Sequence, residues 1–206
     1  MCGTGASTLL LARELNADFT AVDFLREFLG ELQASASAHW PKDRITTLNC
    51  SMGALPIDEG EFDVIWSEGA VYNMGFEAGI SVWCRFLKTS GVLIVSEINW
   101  LNAIRPSELQ YPWESEYPEI NVASAKIGIL ERHGYSPEAY FVQPAHCWLD
   151  DYYRPMQRQF DAFLERHGAS DEAVAIVEVE KHENSLYEKY RDYCSYRVYV
   201  SRKMTV

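Results

Sequence analysis

The chain opens on Cys2-Gly3-Thr4-Gly5, continues into an apolar helical stretch, and returns at Asp23, which closes a short apolar extended run. In a strand-loop-helix-strand unit, glycines let the backbone approach a ligand closely. A carboxylate ending the second strand then accepts hydrogen bonds from the two hydroxyls of a ribose. This order of elements describes a nucleoside pocket. The strand that would feed the loop falls before Met1, so the expected sheet lacks its first strand.

The dinucleotide fingerprint G-x-G-x-x-G/A needs a small residue where the helix packs on the strand. Thr8 stands there, which disfavours a nicotinamide cofactor. A glycine pair of this kind also occurs in ordinary loops before helices, so the rest of the chain has to decide.

At 206 residues, 48% hydrophobic and 13% aromatic, the chain can bury one domain well. It shows no charged-then-apolar leader and no apolar run of bilayer-crossing length, so the expectation is a cytoplasmic protein that engages no membrane. The five cysteines, Cys2, Cys50, Cys84, Cys147 and Cys194, are scattered and form no C-x-x-C pair, which suits neither a disulfide framework nor a zinc site. A net charge of -12 opposes binding to polyphosphate, so a small molecule is expected as partner and nucleic acid is not.

Strands and helices alternate. The pattern predicts a helix from Ser7 to Leu15, a strand from Phe19 to Asp23, a helix from about Leu25 to Ala38, and strands from Arg44 to Cys50 and Phe62 to Ser67. Phe76, Ile80, Trp83, Cys84 and Leu87 share one helical face, stopped by Lys88-Thr89-Ser90-Gly91. The β-branched run Val92 to Val95 suits an interior parallel strand and ends in Ser96-Glu97. This is doubly wound α/β order. Beyond Asn99, Pro106, Pro112 and Pro118 interleave with Trp100, Tyr111, Trp113 and Tyr117, predicting an irregular excursion. A helix follows over Ser124 to His133, closed by Gly134, then a strand at Tyr140 to Val142. Asp150 to Tyr193 reads as two helices broken near Gly168-Ala169-Ser170, with Ser170 as cap, and Tyr196 to Ser201 as the last strand.

Three blocks carry a family resemblance: Cys50-Ser51-Met52-Gly53-Ala54-Leu55-Pro56, then Glu61-Phe62-Asp63-Val64-Ile65-Trp66-Ser67-Glu68-Gly69-Ala70, then Phe86-Leu87-Lys88-Thr89-Ser90-Gly91-Val92-Leu93-Ile94-Val95-Ser96-Glu97. In this order they resemble the class I S-adenosylmethionine-dependent methyltransferases, in particular the small bacterial branch grouped as type 11. Cys2-Gly3-Thr4-Gly5 is similar to the second half of that family's glycine loop, whose first glycine falls on Met1. The resemblance implies a Rossmann-like doubly wound sheet with its first strand missing and a helical insertion before the last strand. It also implies one domain over residues 1–206, with a cofactor half up to residue 100 and an acceptor half beyond. Without its central strand such a chain is expected to bind cofactor poorly.

By position, the resemblance implies that Cys2, Gly3, Thr4 and Gly5 line the methionine and ribose end of S-adenosylmethionine, that Asp23 holds the ribose hydroxyls, and that Ser51 and Met52 sit beside the adenine. Ser67 and Glu68 would face the crevice at the carboxyl ends of the strands. Methyl transfer from a sulfonium is an in-line displacement, so the protein chiefly aligns the reactants and excludes water. Glu68 is the candidate catalytic carboxylate, its plainer reading being a strand-end residue. Tyr72, Asn73, Glu97, Trp100 and His146 are the candidate acceptor residues. His146 has no second ligand at metal spacing, so no metal is expected. Trp100, Trp113, Tyr117, Trp148, Tyr152 and Tyr153 could form an acceptor pocket or a cation-π surface, or pack in the core. The Asp150 to Tyr193 helices read as a lid over the acceptor or as a homodimer contact. The rivals to a small-molecule methyltransferase are a catalytically silent binding module of the same fold and, less well matched, a nicotinamide-dependent oxidoreductase.

Overall fold

The computed structural model describes residues 1–41 and 43–205. Helix α1 (Ala6–Glu14), strand β1 (Phe19–Asp23), helix α2 (Arg26–Ser37) and strand β2 (Ile45–Asn49) follow the predicted order within a residue or two. β1 and β2 pair in parallel, Phe19 opposite Ile45. Small residues let the helices close on this sheet: Ala12, Ala21, Leu32, Ala36 and Ile45 form its core.

A second sheet takes β3 (Phe62–Ser67), then helix α3 (Phe76–Cys84), β4 (Leu87–Trp100), helix α4 (Ser107–Glu116), β5 (Asn121–Val122), helix α5 (Ala123–Arg132) and β6 (Tyr135–Val142). The helical insertion follows as α6 (Ala145–Trp148), a π-helical turn (Leu149–Tyr153), α7 (Arg154–Gln157), α8 (Phe160–Arg166) and α9 (Asp171–Tyr190), and β7 (Cys194–Lys203) closes the chain. The strand order is β3-β4-β7-β6, with β5 paired to the end of β4. β3 and β4 are parallel, whereas β7 runs antiparallel between β4 and β6. Where the resemblance places a further central strand, between β1 and β3, no strand of the described residues joins the two sheets.

Four expectations are revised. α3 ends at Cys84, and Leu87 begins β4 rather than completing the helix, because Lys88–Gly91 runs extended through a register shift with Ser90 at φ 63°. The proline-rich excursion contains α4 despite Pro112, because Leu109, Trp113 and Tyr117 share one face that enters a second core with Ile98, Trp100 and Tyr190. β6 starts at Tyr135, ahead of the expected Tyr140. It runs along the sheet edge, where Pro137 has no need of an N–H. The insertion divides into more pieces than two, although its main break lies where predicted, at Gly168 and Ala169 with φ 60° and 48°. Ser170 caps α9 as expected, its hydroxyl accepting from the Ala173 N–H at 3.3 Å.

The main core lies between the second sheet and α3 and α5, around Phe76, Ile80, Trp83, Leu93, Val95, Leu130, Tyr135 and Tyr199. The carboxyl ends of β1, β3 and β4 are thus backed by packed layers, and the loops that follow them carry the polar side chains.

Candidate cofactor and acceptor site

Gly3 and Gly5 lie at φ 56° and 89°, in the left-handed region. The loop is anchored by Cys2 N–H donating to the Val22 carbonyl at 2.8 Å, and it opens α1 with Leu9 N–H donating to Gly5 O at 2.8 Å. A Cβ on Gly5 would stand 2.3 Å from Leu32 Cδ1, whereas one on Gly3 would meet nothing within 4 Å. Gly5 therefore serves helix packing, and Gly3 leaves backbone facing open space. Thr4 is exposed between them. The Cys2 thiol is half-buried and is pushed up by that burial, with the Asp23 charge adding to the effect.

Asp23 is 2% exposed. Its Oδ2 accepts from Gly3 N–H and its Oδ1 from Leu25 N–H, both at 2.9 Å. The carboxylate thus fastens the glycine loop to the end of β1, and each oxygen keeps a lone pair for a further donor. These groups fit the ribose end of a nucleoside cofactor.

Across the crevice, Ser67 ends β3 buried, its hydroxyl without a partner among the described residues. Glu68 is exposed and accepts from Ser7 Oγ of α1 at 2.8 Å, which ties the end of β3 to the first turn of the glycine-loop helix. Gly69 N–H donates to Ser96 Oγ at 2.8 Å, fixing the loop after β3 to β4. Tyr72 stands 46% exposed in the turn Val71–Asn73, and Asn73 Nδ2 closes that turn on the Ala70 carbonyl at 3.0 Å. Ser51 is exposed, its hydroxyl accepting from Gly53 N–H at 3.3 Å. Met52 lies in the main core, with its carbonyl taken by Trp83 Nε1 at 3.0 Å.

The candidate acceptor residues separate. Glu97 is wholly buried, with Lys126 Nζ 3.8 Å from its Oε1 and no hydrogen-bond partner for either oxygen among the described residues. Burial pushes its carboxyl up to about 7 against the pull of Lys126, and burial likewise lowers the Lys126 ammonium. Trp100 is 1% exposed in the second core, capped by the Arg105 guanidinium at 4.3 Å from its ring, and Trp113 and Tyr117 pack beside it. Those three rings are core. Trp148, Tyr152 and Tyr153, by contrast, meet in the helical insertion. His146 is exposed at its start, where His146, Cys147 and Asp151 offer donor atoms within 4.8 Å of one another.

Sequence reasoning missed Ser7 and Lys126. Nothing in the sequence marks Ser7, since only the fold brings α1 to the end of β3. Lys126 did leave a sign: it occupies the buried stripe of α5 with Ala123 and Leu130, an odd place for an ammonium without a partner.

Residues 1–91 match the family described as methyltransferase domain. The fold is shared with a methyltransferase from Geobacter sulfurreducens solved with S-adenosylhomocysteine, at 18% identity and TM-score 0.82, covering 98% of this chain and 82% of that one. A methyltransferase from Thiobacillus denitrificans, also solved with S-adenosylhomocysteine, gives 16% identity and TM-score 0.82 over 98% and 82% of the two chains. The [4+2]-cyclase SpnF superposes over 100% of this chain and 73% of its own at 18% identity and TM-score 0.79. No protein of curated function matches in sequence. Residues 1–91 are thus similar to a methyltransferase domain, and the whole chain shares the fold of methyltransferases solved with S-adenosylhomocysteine. Among the described residues no helix is long and apolar enough to cross a membrane.

Proposed function

We propose that the chain methylates a small-molecule acceptor. Gly3, Gly5 and Asp23 would hold the ribose and methionine end of S-adenosylmethionine, and Ser67 and Glu68 would form the facing wall. When bound, the cofactor supplies a methyl group on a positively charged sulfur. The observation that carries this reading is the Asp23 carboxylate, fixed by two backbone N–H groups beside a glycine whose far side is open. Ser7 holds Glu68 at the end of β3, where its carboxylate would accept from the cofactor's amino group. Tyr72 and Asn73 would orient the acceptor from the loop after β3, and the insertion would close over it and keep out water. A formal charge of -12 supports a small acceptor rather than a nucleic acid.

The fold also serves a protein named as a [4+2]-cyclase, so cofactor binding and methyl transfer need separate measurements. Calorimetric titration of S-adenosylmethionine and S-adenosylhomocysteine, with Asp23→Ala as control, tests the first. Transfer of labelled methyl from the cofactor to a panel of small acceptors tests the second. Saturable binding that vanishes in Asp23→Ala, followed by label transfer, supports the enzyme. Binding without transfer to any acceptor leaves the silent-module reading.

A further inference from the structure

The insertion gathers aromatic rings that the cofactor reading does not use. The Trp148 ring of α6 lies with its centroid 4.7 Å from that of Tyr196 on β7, 5.3 Å from Tyr152 and 5.9 Å from Tyr153 in the π-helical turn. Tyr187 of α9 completes the group at 5.8 Å from Trp148. Beside these rings stand two carboxylates one turn apart on α9. Glu183 accepts from the Tyr153 hydroxyl at 2.9 Å, and Glu180 Oε2 is buried without a partner. Among the described residues, no lysine, arginine or histidine forms an ion pair with either.

Such a site favours one kind of occupant. Aromatic faces are negative, and two partly buried carboxylates without counter-charge are costly to keep ionised. Burial indeed pushes the Glu183 carboxyl upward, opposed by the Tyr153 hydrogen bond and reinforced by the Glu180 and Glu116 charges. An anion would be repelled, and a neutral ligand would leave the carboxylates unpaired. A cation would satisfy rings and carboxylates together. Burial, the larger cause, and the Glu180 and Glu183 charges push the Tyr152 hydroxyl up, in keeping with the negative surroundings of the group. Tyr152 is 46% exposed, so its side of the group is open.

We propose that the insertion forms a cation-recognising cage for an alkylammonium compound, with Trp148, Tyr152 and Tyr196 against the charged nitrogen and Glu180 and Glu183 as counter-charge. That the caged compound is the methyl acceptor rests on the methyltransferase reading: its nitrogen would first give a proton to Glu180 or Glu183, and the freed electron pair would take the methyl as the carbon–sulfur bond breaks and the cofactor leaves as the neutral thioether. That it binds does not rest on that reading.

The probe pair is choline and its neutral isostere 3,3-dimethylbutan-1-ol, titrated by calorimetry into the full chain alongside S-adenosylhomocysteine. Choline should bind at least about tenfold more tightly than the alcohol. Glu183→Gln, which keeps size and the Tyr153 contact, and Tyr152→Leu, at a half-exposed position, should each weaken choline about tenfold. Neither should alter S-adenosylhomocysteine affinity or the melting temperature. Equal affinity for the two probes, no saturable choline binding, or choline affinity untouched by Glu183→Gln would each overturn the cage. Choline binding without S-adenosylhomocysteine binding would keep the cage and remove its link to methyl transfer.

Discussion

Asp23 closes β1 in the small sheet and Glu97 lies near the end of β4 in the large one, and both are almost wholly buried. Their surroundings differ. Asp23 meets two backbone N–H groups, one from the glycine loop and one from the entry to α2. Glu97 has no hydrogen-bond partner among the described residues, only Lys126 at 3.8 Å, with the Tyr117 hydroxyl nearby but outside hydrogen-bond geometry. A carboxylate solvated by backbone dipoles can accept further donors from a ligand, because its charge is already compensated and its orientation fixed. One compensated by a single buried ammonium is committed to that ion pair. Two carboxylates near the ends of parallel strands are thus assigned different work by what faces them.

The largest effect that can break this comparison is the loss of the Asp23 side chain. Asp23→Ala should weaken S-adenosylhomocysteine at least about hundredfold and, by orphaning two N–H groups, destabilise the fold by about 2 kcal/mol. Asp23→Asn, which keeps one acceptor oxygen, should fall between. Calorimetry and denaturant titration read the two effects separately. Affinity retained in Asp23→Ala would remove the distinction between the two carboxylates.

Next in size is the pH response of the other carboxylate. The unfolded chain releases the Glu97 proton near its ordinary value of 4.5, whereas the folded chain holds it to about 7. Between those values the folded state binds more protons, so the contribution of Glu97 to stability falls as pH rises through the window and is fully lost above it. Relative to Glu97→Gln, the native chain should therefore lose on the order of 2–3 kcal/mol between about pH 4.5 and pH 8. A difference in unfolding free energy that is flat with pH would show that the Lys126 pair offsets burial completely.

The glycine loop sharpens the contrast at a smaller scale. Gly5→Ala forces a Cβ toward Leu32 in a left-handed conformation and should cost about 2–3 kcal/mol, and Leu32→Ala should cost less when added to it than when made alone. Gly3→Ala meets open space and should cost only about 1 kcal/mol in stability. If Gly3 lines the cofactor, its replacement should nonetheless weaken S-adenosylhomocysteine, a split between stability and affinity that denaturant and ligand titrations resolve.

These contrasts also show where the sequence was readable. Local periodicity sufficed for β3, whose bounds match, and for α2 and the Ser170 cap, because a strand between turn residues or an amphipathic face is decided by near neighbours. It failed for α4, where proline argued against helix but burial of Leu109, Trp113 and Tyr117 prevailed. It failed again at β4, whose length is set by pairing with β7 from the far end of the chain. At the site, Asp23 and the glycines could be placed from spacing because loop, helix and strand are contiguous. Whether Glu97 opens to the crevice or Trp148 meets Tyr196 depends on residues far apart in sequence, so exposure and partner were not legible. Aromatic density alone could not separate the core rings Trp100 and Trp113 from the insertion rings Trp148 and Tyr152.

The smallest effect lies at the side-chain bond between α1 and the end of β3, Ser7 to Glu68. The pair is exposed, so Ser7→Ala and Glu68→Gln should each change stability by less than about 0.5 kcal/mol. Their effects on S-adenosylhomocysteine affinity should differ. If Glu68 contacts the cofactor's amino group, removing its charge should cost about tenfold in affinity, since the carboxylate would itself pair with an ammonium. Ser7→Ala removes only the group that orients Glu68 and should cost a few-fold at most, with no added loss in the double variant beyond that of Glu68→Gln. Equal small losses from both variants would instead make the bond a tether between β3 and α1, with cofactor recognition resting on Asp23 and the glycine loop alone.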